Sequence, residues 1–150
     1  MAHPFRKMSE DQIADFLTEN RNAIIAVNRE DGAPLISPVW YLYEEKSLYF
    51  SVTNDSAKHR CLKRDPQVAI CIDGGHPDER AVTIYGKAEL YENESDWPDD
   101  ILFHTASRYT DIEAYEFVRE YLNTIKSESV LVKIDRTSSK LIGRDYNRQE

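Results

Sequence analysis

Apolar residues fall into short groups whose period switches between helical and extended along the chain. Ser9 followed by Gln12 forms a capping-box signature, and Ile13, Phe16 and Leu17 then share one face, which predicts a first helix over about Ser9 to Glu19. The β-prone stretch Asn22 to Arg29, the turn signal Asp31-Gly32 and the strand Pro34 to Tyr43 read as a hairpin. In the third strand Leu48, Phe50 and Val52 alternate with Tyr49, Ser51 and Thr53, which separates an apolar face from a hydroxyl-bearing one. From Ser56 to Arg64 the pattern is helical, and it stops before Asp65-Pro66 because a residue preceding proline is pushed out of the α region.

Val68, Ile70 and Ile72 alternate as a fourth strand, the loop Gly74-Gly75-His76-Pro77 breaks it, and Val82, Ile84, Gly86, Ala88 and Leu90 line one face of a long fifth strand. Gly86 is expected to let that strand bend. Helical signals return from Glu94 to about Asn123, with Pro98 near a first turn and Ile112, Tyr115, Phe117, Val118, Tyr121 and Leu122 periodic afterwards; two helices, or one broken near Thr110, fit. Val130, Val132 and Ile134 make a sixth strand, and Ser138 to Asp145 suits a seventh. Mostly hairpin-linked short strands predict a mainly β fold, a closed antiparallel barrel with helices packed outside it.

A length of 150 residues suits one domain around one core, so residues 1–150 are expected to form a single unit. Asp and Glu number 27 against 19 Lys and Arg, and the resulting charge of -8 repels phosphate backbones and disfavours a nucleic-acid binder. No apolar run approaches the roughly 20 residues of a membrane span, and the first eight residues lack the apolar stretch of a signal peptide. A cytoplasmic protein with no membrane partner is the expectation. Cys61 and Cys71 have no CxxC spacing and no histidines at zinc-ligand spacing, which argues against structural zinc and a disulfide framework.

Charge becomes informative at Ser56-Ala57-Lys58-His59-Arg60. If Ser56 caps this helix, three basic residues occupy its first turn, where the macrodipole disfavours each cation by roughly 0.3 to 1 kcal/mol. An anion would reverse that sign. Free backbone N–H groups, a capping hydroxyl and the cations Lys58 and Arg60 make a phosphate site, to which Ser51 and Thr53 could add hydroxyls. The competing reading is a solvated basic helix, since Lys63 and Arg64 sit favourably near its C-terminus. Trp40, Tyr41 and Tyr43 offer aromatic surface for a planar ligand, although aromatics at strand spacing more often serve core or interface, and only Trp40 is kept as a pocket candidate. His3, His76 and His104 read as surface residues. GxSxG, HExxH, GxGxxG and GxxxxGK[ST] are all absent, so the hydrolase, dinucleotide-fold and P-loop readings have no support.

The ordered set DGAPLISPVWYLY, SLYFSVTNDSAKHRCLKRDPQVAICID, VTIYGKAEL, ASRY with EAYEFVREYL, and VLVKI resembles the pyridoxamine 5′-phosphate oxidase-like FMN-binding split-barrel superfamily of flavin and deazaflavin oxidoreductases, from about Ser9 to Asp145. The resemblance implies a six-stranded antiparallel split barrel that forms a homodimer with the cofactor in a groove between subunits. It implies that Lys58 and Arg60 are phosphate ligands, that Ser51, Val52 and Thr53 run along the cofactor, and that the backbone of Ser37, Pro38, Val39 and Trp40 borders the isoalloxazine ring. Ile36 and Ala81 stand where pyridoxamine oxidases carry an arginine and a glutamine, and Leu141 to Asp145 replaces their C-terminal substrate motif, which argues against pyridoxamine phosphate oxidation. The AKxR form of the phosphate segment looks more like the deazaflavin reductases and their FMN-binding relatives.

The leading expectation is a flavin-dependent oxidoreductase that passes hydride from reduced FMN to a small conjugated acceptor, with no side chain required as nucleophile. The alternative is a non-catalytic flavin, haem or tetrapyrrole binding module on the same fold. FMN is placed before the deazaflavin coenzyme, whose acidic tail needs further cations. Lys63 and Arg64 could meet such a tail, but Asp55 and Asp65 flank the same helix and oppose that field.

Overall fold

Residues 5–111 and 116–147 are described by a computed structural model. The first strand, β1 (Arg6–Lys7), is followed by α1 (Glu10–Thr18). Helix α1 starts where both halves of its capping box close: Ser9 Oγ accepts the Gln12 N–H at 3.2 Å and Gln12 Oε1 accepts the Ser9 N–H at 2.8 Å. Ile13, Phe16 and Leu17 are its buried face. The hairpin β2 (Ala23–Val27) and β3 (Leu35–Val39) comes next, then β4 (Leu42–Glu44) and β5 (Ser47–Thr53), joined through Glu45 and Lys46, both with positive φ. Helix α2 (Ala57–Arg64), β6 (Gln67–Asp73), β7 (Arg80–Tyr91), α3 (Ile101–Ser107), α4 (Glu116–Lys126), β8 (Ser129–Asp135) and β9 (Lys140–Asp145) complete the order.

Every strand pairing is antiparallel, in the order β3-β2-β6-β7-β8-β5-β4, with β9 beside β7 and β1 beside β9. Strands β3 and β4 are therefore the two ends of the path, yet only Trp40 and Tyr41 separate them in the chain. That link reaches about 11 Å at full extension, so the sheet must curl until its ends lie side by side. Among the described residues no ladder joins β3 to β4, and the barrel is split along this seam rather than closed as the hairpin pattern suggested.

Strand β7 holds the two halves together. Its residues Arg80 to Tyr85 pair with β9, and Ala88 to Tyr91 pair with β8. Gly86 sits at the changeover, where a Cβ would lie 2.5 Å from Ser139 Oγ and 3.0 Å from Ile134 Cγ2. That close approach demands glycine there.

The barrel interior is filled by Phe16, Ile25, Tyr41, Phe50, Ile70 and Val132 among others. A second cluster of Leu42, Tyr49, Trp97, Ile101 and Leu131 seals α3 onto the outer face of β5 and β8. The expected strand from Pro34 to Tyr43 is divided at Trp40–Tyr41, and with β1 and β9 the described strands number nine instead of six or seven. The helical region breaks before α4, close to Thr110 as expected, while Ile112 and Tyr115 lie outside the described residues. Among the described residues no helix is long and apolar enough to cross a membrane.

Candidate functional site

Helix α2 begins as its sequence demands. Ser56 is extended, its Oγ accepts the His59 N–H at 3.2 Å and its carbonyl accepts the Arg60 N–H at 3.0 Å. The backbone N–H groups of Ala57 and Lys58 find no acceptor among the described residues, and the first turn contains no acid. Lys58 is half-buried and makes no ion pair with any described residue. Two N–H groups without an acceptor among the described residues, an ammonium without a described counter-ion and the exposed Thr53 at the end of β5 thus lie close together in the chain at this helix start. Arg60 is exposed and has already turned one N–H back onto the Asp55 carbonyl, which leaves its other donors available.

His59 departs from the expectation of a basic first turn. Its ring is 2% exposed and points away from solvent, with Nδ1 3.0 Å from the Asp55 nitrogen and Nε2 2.8 Å from Glu92 Oε1. Glu92 also receives Lys63 at 3.3 Å, and hydrogen bonds from His59 and then Lys63 hold its carboxyl below the usual carboxylate range. The two cations considered for an acidic tail are thus divided. Lys63 is taken by Glu92, while Arg64 donates to the Asn28 carbonyl at 2.6 Å beside a cleft of about 430 Å³ between the β2–β3 hairpin and α2. Arg29, Arg60 and Arg64 line that cleft, but so do Glu30 and Asp31. Asp65 is bound to Asn28 and to the Gln67 N–H, the latter being the main cause of its lowered pKa.

The β3 segment divides by alternation. Val39 belongs to the core, and Ser37 carries a buried Oγ with no hydrogen-bond partner among the described residues. A buried hydroxyl left in this state costs roughly 1 to 3 kcal/mol, so it suits a ligand edge that offers a donor or acceptor. Pro38 and Trp40 face outward, and the indole stacks on Tyr109 with centroids 5.0 Å apart and planes 2° from parallel. On β5, Ser51 is half-buried, Thr53 exposed and Val52 3% exposed, so Val52 can meet a ligand only through its backbone. Tyr41, read above as aromatic surface, is fully buried with its hydroxyl on the Leu17 carbonyl. Burial pushes its pKa up against the opposing Arg108 guanidinium.

Sequence reading did not foresee Arg108 and Tyr109 as anchors. The Tyr109 hydroxyl donates to the Arg21 carbonyl at 2.6 Å and accepts the Tyr41 N–H at 3.2 Å, while Arg108 donates to the carbonyls of Tyr41, Leu17 and Glu19. Their only sequence signal was ASRY within the resemblance. His76 is surface-exposed against Glu79, His104 is exposed on α3, and Arg144 lies over the Phe5 ring. Among the described residues no cluster of His, Cys, Asp and Glu is arranged to hold a metal ion.

Outside the barrel, Tyr85, Ala69, Ala26 and Ile36 form one row across four strands, with Ile24 and Pro38 in the next. Ile36, Tyr85 and Ile24 are 67%, 51% and 42% exposed, which leaves this sheet face apolar and uncovered within one chain.

The architecture defines a class, the mainly β split antiparallel barrels with flanking helices. Residues 9–136 match the family model for pyridoxamine 5′-phosphate oxidase, and the chain belongs to that family. Solved structures share the fold at low identity. Protein Rv2991 from Mycobacterium tuberculosis is 23% identical with a TM-score of 0.76, over 98% of this chain and 90% of its own. An F420 reductase is 20% identical with a TM-score of 0.67, over 84% and 94%. A FAD-binding protein from Mesorhizobium loti is 21% identical with a TM-score of 0.64, over 95% and 99%.

Proposed function

We propose that the chain is a flavin-dependent oxidoreductase, one cofactor-binding domain over residues 1–150, that holds FMN at the start of α2 and passes hydride to a small conjugated acceptor. The observation that carries this reading is the helix start itself: the free N–H groups of Ala57 and Lys58, the Lys58 ammonium without a described counter-ion and the spare donors of Arg60 all belong to the first turn of α2, where a phosphate would offset the dipole penalty of the two cations. Family membership and flavin-type neighbours, an F420 reductase and a FAD-binding protein, agree with it. When bound, the flavin supplies the redox chemistry. The chain's own work is to fix the phosphate through Lys58, Arg60 and Thr53, to border the ring with the backbone of Ser37, Pro38, Val39 and Trp40, and to run Ser51 and the Val52 backbone beside it. FMN stands ahead of the deazaflavin because Lys63 is occupied and Glu30 and Asp31 oppose the arginines beside Arg64.

A planar ring against one barrel has one wall. The second is a homodimer partner, seated on the apolar face of Ile24, Ile36, Pro38 and Tyr85, with Trp40 at its border. Free thiols at Cys61 and Cys71 accord with the reducing cytoplasm. The test is the visible spectrum of freshly purified protein with calorimetric titration of FMN and of the deazaflavin. Oxidised flavin absorption and saturable FMN binding are expected. A haem spectrum, or no binding by either flavin, overturns the reading in favour of a tetrapyrrole-binding barrel.

A further inference from the structure

His59 lies in the middle of the anion-binding segment, yet it cannot touch an anion there, because its ring is buried and both nitrogens are engaged. The proton on the ring is located by its neighbours. A backbone N–H can only donate, so Nδ1, 3.0 Å from the Asp55 nitrogen, must be the unprotonated acceptor. The proton then sits on Nε2 and is given to Glu92 Oε1 at 2.8 Å.

The amide caught by Nδ1 belongs to a residue in the left-handed region. Asp55 has φ 59°, a conformation that aspartate tolerates better than most non-glycine residues yet that local contacts must favour over the usual regions. Around it the backbone groups of the β5–α2 turn are engaged. Asn54 N–H goes to the Glu128 carbonyl at 2.7 Å, Ser56 N–H to the Thr53 carbonyl at 3.1 Å, and the Asp55 carbonyl takes Arg60. His59 supplies the acceptor for the Asp55 N–H, and Glu92, from just beyond the end of β7, holds that acceptor in its tautomer and orientation.

We propose that His59, oriented by Glu92, is the positioning residue of the anion site: by holding the Asp55 turn it aims the free amides of Ala57 and Lys58. The consequence for affinity rests on the phosphate reading above, whereas the positioning itself does not.

The experiment contrasts two amide side chains that imitate different ring nitrogens. His59→Asn places an oxygen near the Nδ1 position and keeps an acceptor for Asp55, while His59→Gln reaches toward the Nε2 position and leaves the Asp55 N–H without one. Both remove the buried ring, so similar losses of thermal stability are expected. Calorimetric FMN affinity should fall at least tenfold in His59→Gln and stay within about threefold of the parent in His59→Asn, and Glu92→Gln, which keeps an acceptor for Nε2–H, should resemble the parent. Nitrogen-15 spectra of the parent should show the neutral Nε2–H tautomer, and the amide resonances of Ala57 and Lys58 should move further in His59→Gln than in His59→Asn, which reports the loss of the ring alone. Those spectra need no cofactor, so a protein that fails to bind FMN refutes the phosphate reading while the positioning role is still decided. An Nδ1–H tautomer or imidazolium at neutral pH, equal affinities in the Asn and Gln variants, or Ala57 and Lys58 amides that move no further in His59→Gln than in His59→Asn would overturn the proposal.

Discussion

The Trp40 indole lies flat on the Tyr109 ring, 5.0 Å between centroids and 2° from parallel, at the seam where β3 gives way to β4. Tyr109 is the fixed partner, since its hydroxyl is bound on both sides and burial raises its pKa, whereas Trp40 is 47% exposed. Tyr109→Phe should therefore cost about 1 to 3 kcal/mol by stranding the Tyr41 amide and Arg21 carbonyl. Trp40→Ala should cost about 0.5 to 1.5 kcal/mol, the scale of an aromatic pair. Urea melts of the two variants check the order, and a larger loss for Trp40→Ala would contradict it.

Lys58 has no ion-pair partner to lose among the described residues. Lys58→Ala should weaken FMN binding by about 1.5 to 3 kcal/mol while leaving the melting temperature of the cofactor-free protein unchanged or slightly raised. Arg60→Ala should weaken binding similarly and also destabilise the free protein, because it abandons the Asp55 carbonyl. Titration calorimetry paired with thermal melts separates the two behaviours.

The uncovered row of Ile36, Ala26, Ala69 and Tyr85 makes the proposed dimer testable. Ile36→Asp puts a charge on a side chain that is 67% exposed in one chain, so a monomer should fold normally while a dimer built on this face should dissociate. Light scattering at micromolar concentration should report a dimer for the parent and a 17.4 kDa monomer for the variant, with cofactor retention reduced. A monomeric parent with cofactor still bound would rule the face out.

Acid should act through Asp78. Its carboxylate receives Arg80 and Arg21, each at 2.7 Å, and Asn147 at 3.3 Å, and the hydrogen bond from Arg80 is the main reason its pKa lies far below the usual carboxylate range. A depressed folded-state pKa contributes stability that is present above the unfolded value of about 3.9 and is lost as pH falls toward the folded one. The parent should melt progressively earlier below about pH 4, and Asp78→Asn should melt earlier at pH 7 but show a shallower acid slope. Calorimetric scans from neutral pH into strong acid measure both.

Gly86→Ala should destabilise by about 1 to 3 kcal/mol, since the new methyl meets Ser139 Oγ and Ile134 Cγ2. Ser139→Gly in the same chain should recover part of the loss. If the double variant is no more stable than Gly86→Ala, Ser139 is not the obstructing group.

Local order is legible because it is written in local contacts. Ser9 with Gln12, Ser56 at the head of α2, the stop at Asp65-Pro66 and the alternation through β5, β6 and β8 all concern residues within one turn or one pleat of each other. The basic first turn is visible for the same reason, since Lys58 and Arg60 follow the capping Ser56 within a single turn of helix.

The run of elements and the capped, acid-free first turn of α2 are therefore readable from the chain alone, whereas tertiary packing decided which of the side chains around that turn stay exposed. His59 reads as a third cation until β7 brings Glu92, 33 positions later in the chain, to its Nε2. Tyr41 reads as surface until α1 and Arg108 enclose it, and Trp40 acquires Tyr109 only through the packing of the segment after α3 beside the seam. Periodicity states which face of an element is apolar, but a partner's identity depends on register between strands distant in sequence, which no short-range pattern encodes.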